Sequence, residues 1–131
     1  MMNHRSLNTH VRFRLSNEYE DLKKDPIPGI HAKPLNETLL LWGYVIEGAK
    51  DTPYDGGKYY GELEFTEHFP FIPPHILMHT PNGRFIPGER ICISISAFHP
   101  KNWDPSWTVG TFLHCFAHFM MFDEQIMGVG M

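Results

Sequence analysis

The stretch that decides the fold is residues 38–69, "TLLLWGYVIEGAKDTPYDGGKYYGELEFTEHF". Two runs rich in strand-favouring residues, "TLLLWGYVIEG" (38–48) and "KYYGELEFTEHF" (58–69), flank "AKDTPYDGG" (49–57), whose aspartates, proline and glycines favour a turn. The runs therefore read as neighbouring antiparallel strands. "FPFIPPHILMHT" (69–80) continues with a bend and a short apolar strand. Proline has no amide hydrogen to give a ladder, so Pro70, Pro73 and Pro74 belong to the connection and not to a central strand.

Helical periods lie on both sides of this block. Upstream, Leu7, Val11, Leu15, Tyr19 and Leu22 recur at spacings of four and three, which predicts a helix over 5–24 that stops before "DPIPG" (25–29). Arg5, Asn8 and Arg12 lie off that stripe, as a solvated face would. Downstream, "TVGTFLHCFAHFMMF" (108–122) returns to a helical period, with Ser106 or Thr108 as its N-cap. Phe112, Phe116, Phe119 and Met120 share one arc, and Cys115 lies at its edge as a packing residue. The order is helix, an antiparallel meander of about four strands, an irregular segment, then a helix. Such segregation defines an α+β fold.

Composition narrows the function classes. The chain has 131 residues and 42% hydrophobic content, enough for one domain over 1–131 with a real core. Its formal charge is −4, with no cluster of lysine and arginine of the kind that phosphate binding needs, which argues against nucleic acid. Two cysteines, no apolar leader and no stretch approaching the roughly 18 apolar residues of a membrane span point to a reduced, cytoplasmic setting without membrane contact by this segment.

One cysteine stands out. In "GERICISIS" (88–96), Ile91, Ile93 and Ile95 alternate with Cys92, Ser94 and Ser96, so an extended backbone puts Cys92 on the face opposite the isoleucines. Unpaired cysteine ordinarily behaves as a buried hydrophobe, yet this one is placed with serines. Arg84 and Arg90 are the neighbouring charges that would favour a thiolate, and Glu89 opposes them. Alternation alone leaves both nucleophile and bystander open. In "TPNGRF" (80–85), Asn82 is either part of an ordinary Pro-Asn-Gly turn or an amide donor to an oxyanion formed at Cys92, a contribution typically of about 3 kcal/mol. His114 and His118 are four apart, acceptable for two metal ligands, but no third ligand pattern accompanies them, and they read as exposed. No metal or cofactor is implied.

Taken together, "TPYDGGKYYGELEFTEHFPFIPPHI" (52–76), "TPNGRF", "RICISIS" (90–96) and "HPKNWDPSWTVGTFL" (99–113) resemble the catalytic domain of a ubiquitin-conjugating enzyme. More narrowly, they resemble the membrane-tethered branch acting in endoplasmic-reticulum-associated degradation. The resemblance runs from Leu15 to Met121 and implies that Cys92 receives ubiquitin as a thioester from the activating enzyme. Asn82 matches the asparagine of the family's His-Pro-Asn triplet. Thr80 stands where that triplet has histidine, and the interval from Asn82 to Cys92 is longer than usual, both features of the branch. Phe71, Pro105 and Ser106 match loops that contact RING-type ligases, with core packing as the alternative for Phe71. The resemblance also implies that the first helix, through Arg5 and Arg12, completes that surface and meets the activating enzyme. The implied partners are ubiquitin, its activating enzyme, a RING-type ligase and substrate proteins.

Many members place an acidic residue after the cysteine to help a lysine acceptor. Here Ser94, Ser96 and His99 follow, so His99 is the candidate general base for a serine or threonine acceptor, against a simple loop histidine. The sequence lacks the further C-terminal helices usual in the family and the linker and membrane helix of the branch, so it resembles the catalytic core alone. An anchor removed from this chain would place the domain at the cytosolic face of the endoplasmic reticulum. The alternative reading is a non-catalytic scaffold with the same fold, disfavoured by the presence of Cys92.

Overall fold

A computed structural model describes residues 4–91 and 103–122, with side chains from residue 9 onward. The elements are α1 (His4–Lys24), β1 (Ile30–Pro34), β2 (Leu41–Glu47), β3 (Lys58–Glu64), β4 (His75–Met78) and α2 (Val109–Phe122). The four strands pair in sequence order as an antiparallel meander. The α+β class, the helix boundaries and the hairpin at 38–69 are as the sequence predicts. Strand β1 is an addition. "IHAKP" is short, ends in proline and buries only Ile30 fully, so it carries little strand signal and forms through its ladder to β2 at the sheet edge.

The register places the core. Trp42 pairs with Leu63, which pairs with Ile76, and Tyr44 pairs with Gly61, which pairs with Met78, so one sheet face carries a block of apolar side chains. Helix α2 lies over that block. Its eight buried residues include Phe112, Phe116, Phe119 and Met120, the predicted arc, and Phe116 meets Tyr44 edge-on at 6.3 Å. The Tyr44 hydroxyl donates to Leu77 O at 2.8 Å, tying β2 to β4 across β3. Burial pushes its phenol above the ordinary range.

Helix α1 adds Val11, Leu15, Tyr19 and Leu22 to the same core, and Tyr19 meets Trp42 edge-on at 6.0 Å. The start of α2 approaches α1 closely at Gly110. A Cβ there would meet the tip of the Ile27 side chain and crowd Leu22, so a larger residue requires Ile27 to shift.

Thr108 is the N-cap of α2, its hydroxyl accepting the Thr111 amide at 2.9 Å. A second acceptor comes from the other helix: buried Glu18 on α1 takes the Val109 amide at 2.7 Å and the Arg14 Nε–H at 2.9 Å. Helix α2 has no acidic residue in its own first turn, and Glu18 supplies the negative charge that its N-terminus favours. Glu18→Ala leaves that amide without its acceptor and removes the partner of Arg14, and we expect a loss of about 2 kcal/mol in urea unfolding. Glu18→Gln, which keeps an acceptor oxygen, should lose less.

Candidate active site

The turn after β4 prepares the segment that leads to Cys92. The Thr80 hydroxyl accepts the Tyr60 amide at 2.8 Å, extending the pairing of β3 past the end of β4. Asn82 Oδ1 then accepts two backbone amides, those of Arg84 and Phe85, at 2.7 Å each, while Nδ2 donates to Thr80 O at 3.0 Å. Gly83 takes a φ of 80°, which the Pro-Asn-Gly sequence anticipates. Phe85 drops into the core, stacked on Phe116 and Phe119, with the buried Arg84 guanidinium 5.4 Å from the Phe119 ring centre. The local turn role of Asn82 is thus present in full.

The chain returns beside β4. Gly88 N donates to Met78 O and Ile91 N to Ile76 O, both at 2.8 Å, and Leu77 pairs with Arg90 in a single antiparallel bridge. Ile91 packs against the core, as the alternation predicts for the first isoleucine. Arg90 is engaged by Glu64 at 2.7 Å, so its charge is already partnered. Cys92, Ser94, Ser96 and His99 lie outside the described residues, as does the side chain of Arg5.

A second group of predicted residues comes together on one surface. Phe71 is 76% exposed, which decides against core packing; its neighbour two residues back, Phe69, is the one in the core. Pro105 and Ser106 are exposed at the tip of a turn closed by Trp107 N donating to Asp104 O at 2.9 Å. Ser106 is not the helix cap: its amide and hydroxyl donate to Asp104 Oδ1, at 2.8 and 2.7 Å. Trp103 joins the two loops, donating from Nε1 to Pro70 O at 2.7 Å and packing on Phe69. Arg12 is exposed on α1 nearby in sequence to Arg14, which donates from Nη2 to Pro105 O and Trp107 O, 3.0 Å each. The helical stripe passes over Arg14 and Glu18. The available signal was a charged pair, four apart, bracketing buried Leu15 on the core side of α1.

The remaining candidates separate. Cys115 is half-buried on α2, and burial raises its thiol pKa, the wrong direction for a nucleophile. His114 and His118 are exposed, and among the described residues no group of three potential ligands forms. No described helix is long and apolar enough to cross a membrane.

Residues 14–125 match the sequence profile of the family described as "Ubiquitin-conjugating enzyme". The chain belongs to the ubiquitin-conjugating enzyme family. Among relatives of this ubiquitin-conjugating domain, "Ubiquitin-conjugating enzyme E2 6" of Schizosaccharomyces pombe is 50% identical over 115 residues, covering 88% of this chain and 51% of that protein. "Ubiquitin-conjugating enzyme E2 J2" of Homo sapiens is also 50% identical over 115 residues, covering 88% of this chain and 44% of that protein. The domain therefore spans about half the length of the curated relatives it matches. Its fold matches the solved structure of human ubiquitin-conjugating enzyme E2 G1 with a TM-score of 0.69 and 28% identity, covering 81% of this chain and 90% of that one.

The turn on this ubiquitin-conjugating domain has a measurable electrostatic signature. The Ser106 amide, and then its hydroxyl, hold the Asp104 carboxyl below its usual range. A depressed folded pKa means that the turn's stabilisation is present above the unfolded aspartate value and is lost as pH falls through the folded one. In Ser106→Ala the amide remains and the hydroxyl goes, so the Asp104 titration followed by NMR should move up toward the ordinary carboxylate range. An unmoved titration would contradict the hydroxyl's part.

Proposed function

We propose that the chain is the catalytic domain of a ubiquitin-conjugating enzyme in which Cys92 carries ubiquitin as a thioester. Supporting this reading above all is the coincidence of family membership with the Asn82 turn and the anchored Ile91, the residue immediately before Cys92. The Cys92 sulfur attacks the ubiquitin C-terminal carbonyl held on the activating enzyme; the new carbon–sulfur bond forms as the old one breaks, and the departing thiolate takes up the proton. In the second step a substrate amine attacks the same carbonyl, Cys92 leaves as the thiol, and an isopeptide bond remains.

The side chains around this chemistry have assignable parts. An amide nitrogen carries two hydrogens, so Asn82 Nδ2, with one given to Thr80 O, retains another for an oxyanion at Cys92. A lysine acceptor must arrive neutral, and partial desolvation on approach lowers its pKa. His99 serves as general base when the acceptor is a serine or threonine hydroxyl. Phe71, Pro105 and Ser106 receive a RING-type ligase, and Arg5 and Arg12 on α1 extend that contact and meet the activating enzyme. The sequence resemblance to the membrane-tethered branch carries the proposal further, to protein quality control at the cytosolic face of the endoplasmic reticulum.

Incubation with activating enzyme, ATP and ubiquitin should yield a ubiquitin adduct that reductant removes. In Cys92→Ser the adduct should vanish or become a reductant-resistant ester; an ordinary thioester in that variant would refute the assignment and direct attention to Cys115. Acceptor choice has its own test: discharge of the loaded protein by free serine should slow in His99→Ala relative to discharge by lysine. Equal slowing, or none, removes His99 from the mechanism.

A further inference from the structure

The two loops that carry Phe71, Pro105 and Ser106 belong to different parts of the chain, and α1 to a third. One guanidinium touches all three. Arg14 Nε donates to Glu18 Oε2 on its own helix at 2.9 Å, and Nη2 donates to Pro105 O and Trp107 O, 3.0 Å each. Its charged carbon lies 5.4 Å from the centre of the Phe69 ring, two residues before Phe71. The carbonyls it holds flank Ser106. The Asp104 turn sets the shape of that loop, but only Arg14, among the described contacts, bonds its tip to α1.

We infer that Arg14 is the positioning residue of the ligase-facing surface, holding the exposed tip of the 104–107 turn in register with α1 and with the loop bearing Phe71. The inference rests on the proposal that this surface receives a RING-type ligase. Its physical basis is preorganisation. A surface assembled from three segments binds a partner more weakly when the segments must be ordered during binding, because that ordering entropy is then charged against affinity. Arginine suits the task because its planar fork directs several donors at once and stacks on an aromatic ring. Lysine keeps the charge but offers a compact point cation without that fork. A lysine here fills the electrostatic role and fails the geometric one.

The distinguishing measurement is a titration with an isolated RING domain that accelerates discharge of the wild-type protein, chosen from a panel. Each rate is divided by the same variant's rate without the RING domain. In Arg14→Lys and Arg14→Gln the RING concentration for half-maximal stimulation should rise by about tenfold, the equivalent of about 1.4 kcal/mol, while the plateau of the normalised curve holds. Tyr44→Phe, which removes a buried hydrogen bond away from these loops, provides the control for general destabilisation and should keep the wild-type half-point. A wild-type half-point in Arg14→Lys overturns the positioning role, as does an equal shift in Tyr44→Phe. Should the wild-type protein load Cys92 yet respond to no RING domain, the ligase reading fails and takes this role with it. Failure to load at all, with Cys92 intact, instead refutes the thioester reading; direct calorimetric binding of the same RING panel to the unloaded protein then decides the role of Arg14 by the same comparison.

Discussion

Glu18 is the constraint from which the rest of the described site takes its position. The residue is 5% exposed, and its carboxylate accepts from two donors that belong to distant parts of the chain, Val109 N at the start of α2 and Arg14 Nε on α1. A buried carboxylate is costly unless its charge is matched and its oxygens are bonded. Both conditions are met by joining the helices. The amide comes from a helix N-terminus, where the backbone dipole favours negative charge, and the guanidinium supplies the counterion. Gly110 removes the steric obstacle one residue later, beside Ile27 and Leu22. The helix junction is therefore specified polar group by polar group, in the place where apolar packing alone would tolerate rotation or sliding.

The 80–85 turn is built by a comparable economy of groups. A side-chain amide whose oxygen serves two backbone amides and whose nitrogen serves a carbonyl acts as a piece of internal backbone, closing the 80–85 turn where no strand partner exists. Thr80 uses its hydroxyl to receive the Tyr60 amide. The turn is secured on one side by Phe85 in the aromatic cluster and on the other by the return pairing of Gly88, Arg90 and Ile91 with β4.

Legibility in the sequence followed the kind of force involved. Burial of apolar surface leaves a period, so α1, α2 and the 38–69 hairpin were readable, and Val11, Leu15, Phe112, Phe116 and Met120 are in the core where the period puts them. Edge pairing leaves almost no period, and β1, with Lys33 and Pro34 in five residues, carries little strand signal. Exposure of Phe71 was open because a phenylalanine in a proline-rich bend suits core and interface equally; only the placement of Phe69 inside resolves it. Polar groups that work across the chain leave little local signature. Glu18 meets Val109 across 91 residues, and Arg14 meets Trp107 across 93. In the sequence these two side chains stand merely as opposite charges at helical spacing.

Two local features share one support. The loop that ends in Pro105 and Ser106 and the helix that begins at Val109 are separated by two residues, Trp107 and Thr108, and both are held by the Arg14–Glu18 pair. The pair that bonds the loop tip is thus the pair that fixes the start of α2. Interior packing is dense and transmits displacement more readily than it absorbs it. On α2, Phe112 packs on Trp103 beside the exposed loops and Phe116, one turn on, packs on Phe85 at the end of the Asn82 turn. The outer loops and the Asn82 turn thus both rest on α2, whose start is held by buried Glu18 and half-buried Arg14.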